Sequence, residues 1–86
     1  MQIQIEPHTL KRAEERGANE SEILDVISTG INITAKLNRL AKAKVFEFHE
    51  LRNNKFYEQK RIEVIYTIEN DTFVTITVYV FYGKWE

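Results

Sequence analysis

The stretch Thr72-Phe73-Val74-Thr75-Ile76-Thr77-Val78-Tyr79-Val80-Phe81-Tyr82 alternates with the two-residue period of a β-strand. Val74, Ile76, Val78 and Val80 fall on one face, and Phe73, Thr75, Thr77, Tyr79 and Phe81 on the other. The aliphatic face reads as core. The opposite face then presents a hydroxyl and a phenol side by side, at Thr77 and Tyr79, as a working surface. Threonine and tyrosine also favour strands for packing reasons, so the pair acquires meaning only with a partner elsewhere in the chain.

Working outward from this strand, Glu69-Asn70-Asp71 has the chemistry of a hairpin loop, and Phe56 to Ile68 reads as a long strand before it. Leu51 to Lys55 is turn chemistry, and Val45 to His49 is a further strand, with Phe46 and Phe48 on one side and Glu47 and His49 on the other. Ala41 to Lys44 reads as a weak helix or loop. Ile31, Ile33, Ala35 and Leu37 alternate with polar residues, and Gln2 to Ile5 forms a short leading strand. Between these lie two helices. Pro7 suits a first helical position and Gly17 a left-handed stop, which gives a helix of about ten residues. Asn19 and Glu22 have the spacing of a capping box, and Ile23, Leu24, Val26 and Ile27 supply the apolar face of a second helix at about 20 to 29. Helices first and hairpin-linked strands after argue for an α+β fold: two N-terminal helices packed on one face of a twisted antiparallel sheet of about four strands, with the other face open.

Eighty-six residues with 43% apolar side chains make one domain over residues 1–86, with a single core. The chain has no cysteine, which excludes disulfides and thiolate metal sites and points to a reducing, cytoplasmic setting. Two histidines are too few for an ordinary protein zinc site. There is neither an apolar run of membrane-spanning length nor a signal peptide pattern. Net charge is −1, but residues 1–30 carry three basic and six acidic side chains, whereas residues 31–61 carry eight basic and three acidic ones. Lys36, Arg39, Lys42, Lys44, Arg52, Lys55, Lys60 and Arg61 are thereby candidates for an electropositive rim facing a polyanion.

The partner for Thr77 and Tyr79 lies at the other end of the chain. On the first helix His8, Arg12, Glu15 and Arg16 share a stripe, while Leu10, Ala13 and Gly17 point elsewhere. An imidazole and two guanidiniums on one face suit a base and a phosphate clamp. A solvated charged face, with Glu15 pairing Arg12 or Lys11, accounts for the same pattern without chemistry.

The opening pattern His8…Arg12…Glu15-Arg16-Gly17, with the capped helix after it, and the closing pattern Lys60-Arg61-Ile62-Glu63-Val64-Ile65-Tyr66 then Thr75-Ile76-Thr77-Val78-Tyr79, resembles domain-of-unknown-function family 4258 from His8 to Trp85. That family is similar to the small α+β ribonuclease toxins, the group of RelE-type toxins, barnase and colicin nucleases. It is also similar to the ribonuclease A-like toxins of contact-dependent inhibition systems. The resemblance implies a metal-independent endoribonuclease, with no cofactor, whose catalytic histidine falls on His8, its arginine on Arg12 or Arg16, and its threonine and tyrosine on Thr77 and Tyr79. Such chemistry needs a base for the 2′-hydroxyl, a cation for the transition-state phosphate and an acid for the leaving 5′-oxygen, and yields a 2′,3′-cyclic phosphate. His8 is the candidate base, Arg12 or Arg16 the clamp, Thr77 a phosphate or base contact, and Tyr79 an acid or hydrogen-bond donor. Lys60 and His49 are further candidates for the acid, and Lys60, Arg61 and His49 are the candidate substrate-binding residues. The partners implied are RNA and an antitoxin or immunity protein covering the open face.

Two readings compete with this one. A non-enzymatic interaction domain would dock a partner, or a second copy as a homodimer, through Val80-Phe81-Tyr82-Gly83-Lys84-Trp85, since aromatic residues are enriched at interfaces. The same aromatics can instead complete a small core. Sequence-specific DNA binding is the weaker alternative, because Glu20, Glu22 and Asp25 give the second helix the wrong charge for a recognition helix.

Overall fold

The computed structural model describes residues 2–85, and among these it has two helices and five strands. Helix α1 spans Pro7–Arg16 and helix α2 Glu20–Thr29. Their ends follow the local chemistry. Pro7 opens α1, and Gly17 closes it at φ 101°, a left-handed conformation where a side chain is strained. A Cβ on Gly17 would also overlap the hydroxyl of Tyr82. At α2, the Asn19 side chain accepts from the Glu22 amide at 2.9 Å while Glu22 accepts from the Asn19 amide at 3.1 Å, completing the capping box.

The strands are β1 (Gln2–Gln4), β2 (Ile31–Ile33), β3 (Leu40–Arg52), β4 (Lys55–Glu69) and β5 (Thr72–Gly83), in the sheet order β1-β5-β4-β3-β2. The sheet therefore has five strands where about four were expected, and it is not wholly antiparallel, since β1 runs parallel to β5 with Gln2 opposite Thr72. Ala41 to Lys44, expected as a weak helix or loop, is the first part of β3. Two tight loops join the long strands: Asn53-Asn54 and Asn70-Asp71 each have both φ values positive, between 49° and 66°, the signature of a two-residue hairpin turn whose twist matches that of the strands.

Both helices cover one face. Ile23, Val26 and Ile27 of α2 and Ala13 of α1 pack against Ile62, Val64 and Val78, all buried. Fully burying an aliphatic side chain of this size is worth roughly 1.5–3 kcal/mol, so this small layer carries most of the hydrophobic stabilisation. The face assignment along β5 changes at one point. Ile65 of β4 pairs with Thr77 but Tyr66 pairs with Thr75, which leaves Ile76 as an extra residue in β5. Such a bulge reverses the alternation beyond it. Thr75 and Phe73, expected on the open face, consequently lie on the helix side. Thr75 is buried and accepts from the Glu6 amide at 3.0 Å, and Phe73 meets the Tyr66 ring edge-on at 5.1 Å. From Thr77 onward the expected pattern holds, with Thr77, Tyr79 and Phe81 across from the helices.

Much of the basic middle of the chain also turns toward the helices. Lys42 donates to the Ile27 carbonyl at 3.0 Å, and Lys44 grips both oxygens of Asp25 at 2.9 Å. The Lys44 hydrogen bond, aided by one from Thr29, holds the Asp25 carboxyl below its ordinary value of 3.8. A carboxyl lowered in the folded state stabilises above its unfolded value, and the contribution is lost as pH falls through the lowered one. Thermal melts of wild type and Asp25→Asn should therefore differ at pH 6 and converge in strong acid. A difference that persists unchanged to pH 2 would rule out this linkage.

Candidate functional site

The site is built where α1 runs along the edge of β5. β1 covers that edge only over Thr72–Val74. Beyond it the outward carbonyls need other donors, because a bare strand edge presents unpaired backbone groups. Helix α1 supplies them: the Thr9 hydroxyl donates to the Ile76 carbonyl at 3.1 Å, and Arg16 Nη1 donates to the Val78 carbonyl at 2.6 Å. The Arg16 guanidinium then stands 5.4 Å from the centroid of the Tyr79 ring, in cation–π contact. It makes one hydrogen bond among the described residues, so most of its five N–H donors remain available to a ligand.

The geometry of α1 distinguishes the two arginines. Thr9 and Ala13 face the sheet and are buried. A spacing of four residues overshoots a full helical turn by about 40°, so the stripe Arg16, Arg12, His8 rotates steadily away from the strand edge. Arg16 touches β5. Arg12 is exposed, and its one ion pair among the described residues is with Glu15, at 4.0 Å. His8 is exposed in the turn that Thr9 fastens to Ile76, and among the described residues no hydrogen bond joins it to Thr77 or Tyr79.

Thr77 and Tyr79 line an open cavity of about 330 Å³ with Ile65 and with Lys36, Leu37 and Arg39, from the segment that crosses from β2 to β3. Neither hydroxyl makes a hydrogen bond among the described residues. Facing Tyr79 in register on β4 is Glu63, whose carboxylate accepts from Arg61 Nε at 3.1 Å. Arg61 is opposite Phe81, so the open face carries in succession Phe81 with Arg61, Tyr79 with Glu63, and Thr77 with Ile65.

Other candidate residues lie elsewhere. Lys60 faces the helices and is buried: its ammonium donates to the Gly17 carbonyl at 2.8 Å and pairs with Glu22 at 2.8 Å. His49 is at a bulge in β3, exposed, and 3.1 Å from Glu47. The C-terminal aromatics are divided. Phe81 is 46% exposed on the open face, Tyr82 turns to the helix side and donates to the Arg16 carbonyl at 2.7 Å, and Trp85 lies against Gly83. Burial raises the Tyr82 phenol above its ordinary value of 10.0.

Glu63 and Leu37 were not singled out by the sequence. A two-residue Asn70-Asp71 loop pairs Glu69 with Thr72, and counting back from it sets Glu63 opposite Val78; the bulge at Ile76 moves it opposite Tyr79. Leu37 read as one position in an alternating run, whereas it projects from a turn at φ 59°.

These features define a small α+β domain with a helical layer on one face and an arginine–tyrosine pair at the edge of the other. The family model described as Domain of unknown function (DUF4258) matches residues 5–80, and the chain belongs to that family. No curated protein and no solved structure matches it. Among the described residues no helix is long and apolar enough to cross a membrane.

Proposed function

We propose that the domain binds RNA across its open face and cleaves it without a metal ion, leaving a 2′,3′-cyclic phosphate, as the toxin of a toxin–antitoxin or contact-inhibition pair. The observation that supports this most is the contact of Arg16 with Tyr79 at the β5 edge, beside Thr77. A guanidinium with free donors next to a phenol is suited to the non-bridging oxygens of a phosphodiester, where charge builds in the transition state. In this reading Arg16 is the clamp, Thr77 a substrate contact and Tyr79 the donor to the leaving 5′-oxygen. His8 is the acceptor of the 2′-hydroxyl proton, reaching the substrate from the rim of the edge. Lys36 and Arg39 on the far side of the cavity extend the cationic track.

The test is incubation of total RNA with the purified protein in excess chelator, with the new ends analysed. Cleavage leaving cyclic phosphate is expected, with His8→Ala and Tyr79→Phe each reduced by about 100-fold or more. Glu63→Gln is included because Glu63 faces Tyr79. Should that variant lose activity while His8→Ala keeps it, the base is Glu63. No cleavage by folded wild type across several RNA classes would leave the second reading, a protein-docking domain. The exposed Phe81, 6.5 Å from Tyr79 on the same face, favours that reading.

A further inference from the structure

Four polar groups surround the cavity on the open face, and none has a partner among the described residues. They are the Lys36 ammonium, the Arg39 guanidinium, the Thr77 hydroxyl and the Tyr79 phenol. Lys42, Lys44, Lys60 and Arg61, by contrast, are each engaged by a carbonyl or a carboxylate. Between the unpartnered groups lie the apolar surfaces of Leu37, Ile65 and the Tyr79 ring. Leu37 is 82% exposed and held at φ 59°, where a β-carbon is strained. With Asn38 at φ 60° and the Arg39 amide donating to the Lys36 carbonyl at 3.2 Å, Leu37 belongs to a tight turn that holds its side chain out beside the cavity.

We propose that the turn between β2 and β3 completes a pocket for one nucleotide of single-stranded RNA, a proposal that rests on the ribonuclease reading and names how that site holds its substrate. The base lies flat against Leu37 and Tyr79 over Ile65. The Thr77 hydroxyl meets the edge of the base or the ribose, and the phosphate sits between Lys36 and Arg39. The volume of about 330 Å³ suits this occupant, being at the small end of the roughly 300–1,000 Å³ typical of ligand pockets. It admits a mononucleotide and leaves neighbouring nucleotides on the surface, toward Arg16. Aromatic stacking with cationic phosphate contacts is the general means of holding single strands.

The experiment is titration of the full chain with uridine 3′-monophosphate, uridine and inorganic phosphate, followed by calorimetry and by amide NMR. The nucleotide is expected to bind about tenfold or more tightly than phosphate, with shifts clustered at Leu37, Ile65, Thr77 and Tyr79. Lys36→Ala with Arg39→Ala should weaken it about tenfold or more. Leu37→Ala, at an exposed position, should weaken the nucleotide and leave phosphate unchanged. Equal affinity for nucleotide and phosphate, insensitive to Leu37→Ala, means a bare anion patch and overturns the pocket, as does an absence of saturable binding or a shift cluster elsewhere. RNA cleavage measured alongside separates the two ideas. If wild type binds the nucleotide here yet cleaves no RNA, the ribonuclease reading falls and the pocket stands. Cleavage that the Lys36, Arg39 double variant leaves untouched keeps the ribonuclease and removes the pocket.

Discussion

Arg16→Ala is expected to reduce chelator-resistant RNA cleavage by about 100- to 1,000-fold, the range found when one preorganised donor to a developing oxyanion is removed. The guanidinium is anchored on the Val78 carbonyl and lies over Tyr79, so in the proposed reaction it would need no reorganisation as charge appears on the phosphate. Arg16→Lys should recover little, because an ammonium on a shorter stem cannot bond the carbonyl and fork a phosphate together. Arg12→Ala should change the rate less than about threefold, since its side chain is 64% exposed and its one ion pair among the described residues is with Glu15. Single-turnover rates for the three variants test this, with melts to show that each is folded. Leaving the carbonyl of the buried Val78 without this donor costs about 1–3 kcal/mol, so the melts are read first. Equal losses for Arg12→Ala and Arg16→Ala would mean that general cationic attraction, and not the strand-edge geometry, sets the rate.

The second large effect concerns stability. Lys60→Met should destabilise the domain by about 3 kcal/mol, because it leaves the Glu22 carboxylate and the Gly17 carbonyl without their buried donor. The last two carbonyls of α1 and that of its cap, Gly17, are each met from a different strand: Arg52 of β3 donates to that of Glu15 at 2.9 Å, Tyr82 of β5 to that of Arg16, and Lys60 of β4 to that of Gly17. A helix end buried without such donors is costly. For a domain of this size the loss corresponds to a fall in Tm of more than about 10 °C. Adding Glu22→Gln should return part of it, since the uncompensated charge is then gone. A urea midpoint for Lys60→Met that matches wild type would show the ion pair to be dispensable.

The helices were legible because their ends are written in local chemistry: Pro7 and Gly17 bound one, and the Asn19–Glu22 box opens the other. The sheet was legible only where its alternation follows burial. In Ala41-Lys42-Ala43-Lys44 the lysines point toward the helices and the alanines away from them, a pattern that the usual equation of charge with solvent reads as no strand at all. Their long stems carry the ammonium past the apolar layer to Ile27 and Asp25. The parallel pairing of β1 with β5 leaves no trace in either segment. At the candidate site, the face on which Thr77 and Tyr79 lie was legible from periodicity, since they are on the unbulged part of β5. Arg12 and Arg16 stayed equivalent until the edge of β5 was in place, because a helical stripe read from spacing has no sheet to be measured against.

The three-strand grip on the end of α1 also sets a timetable. Arg16 is fastened to Val78 across 62 residues of chain, and its own carbonyl to Tyr82 across 66. During synthesis on a ribosome, helix α1 and the β3–β4 hairpin can emerge and begin to order while Arg16 still has nothing to lean on. The guanidinium acquires its position only when β5 has been made and has slotted between β1 and β4. Until Val78 has been made, Arg16 lacks the carbonyl that orients it, so the arginine–tyrosine pair is one of the last features of this domain to assemble.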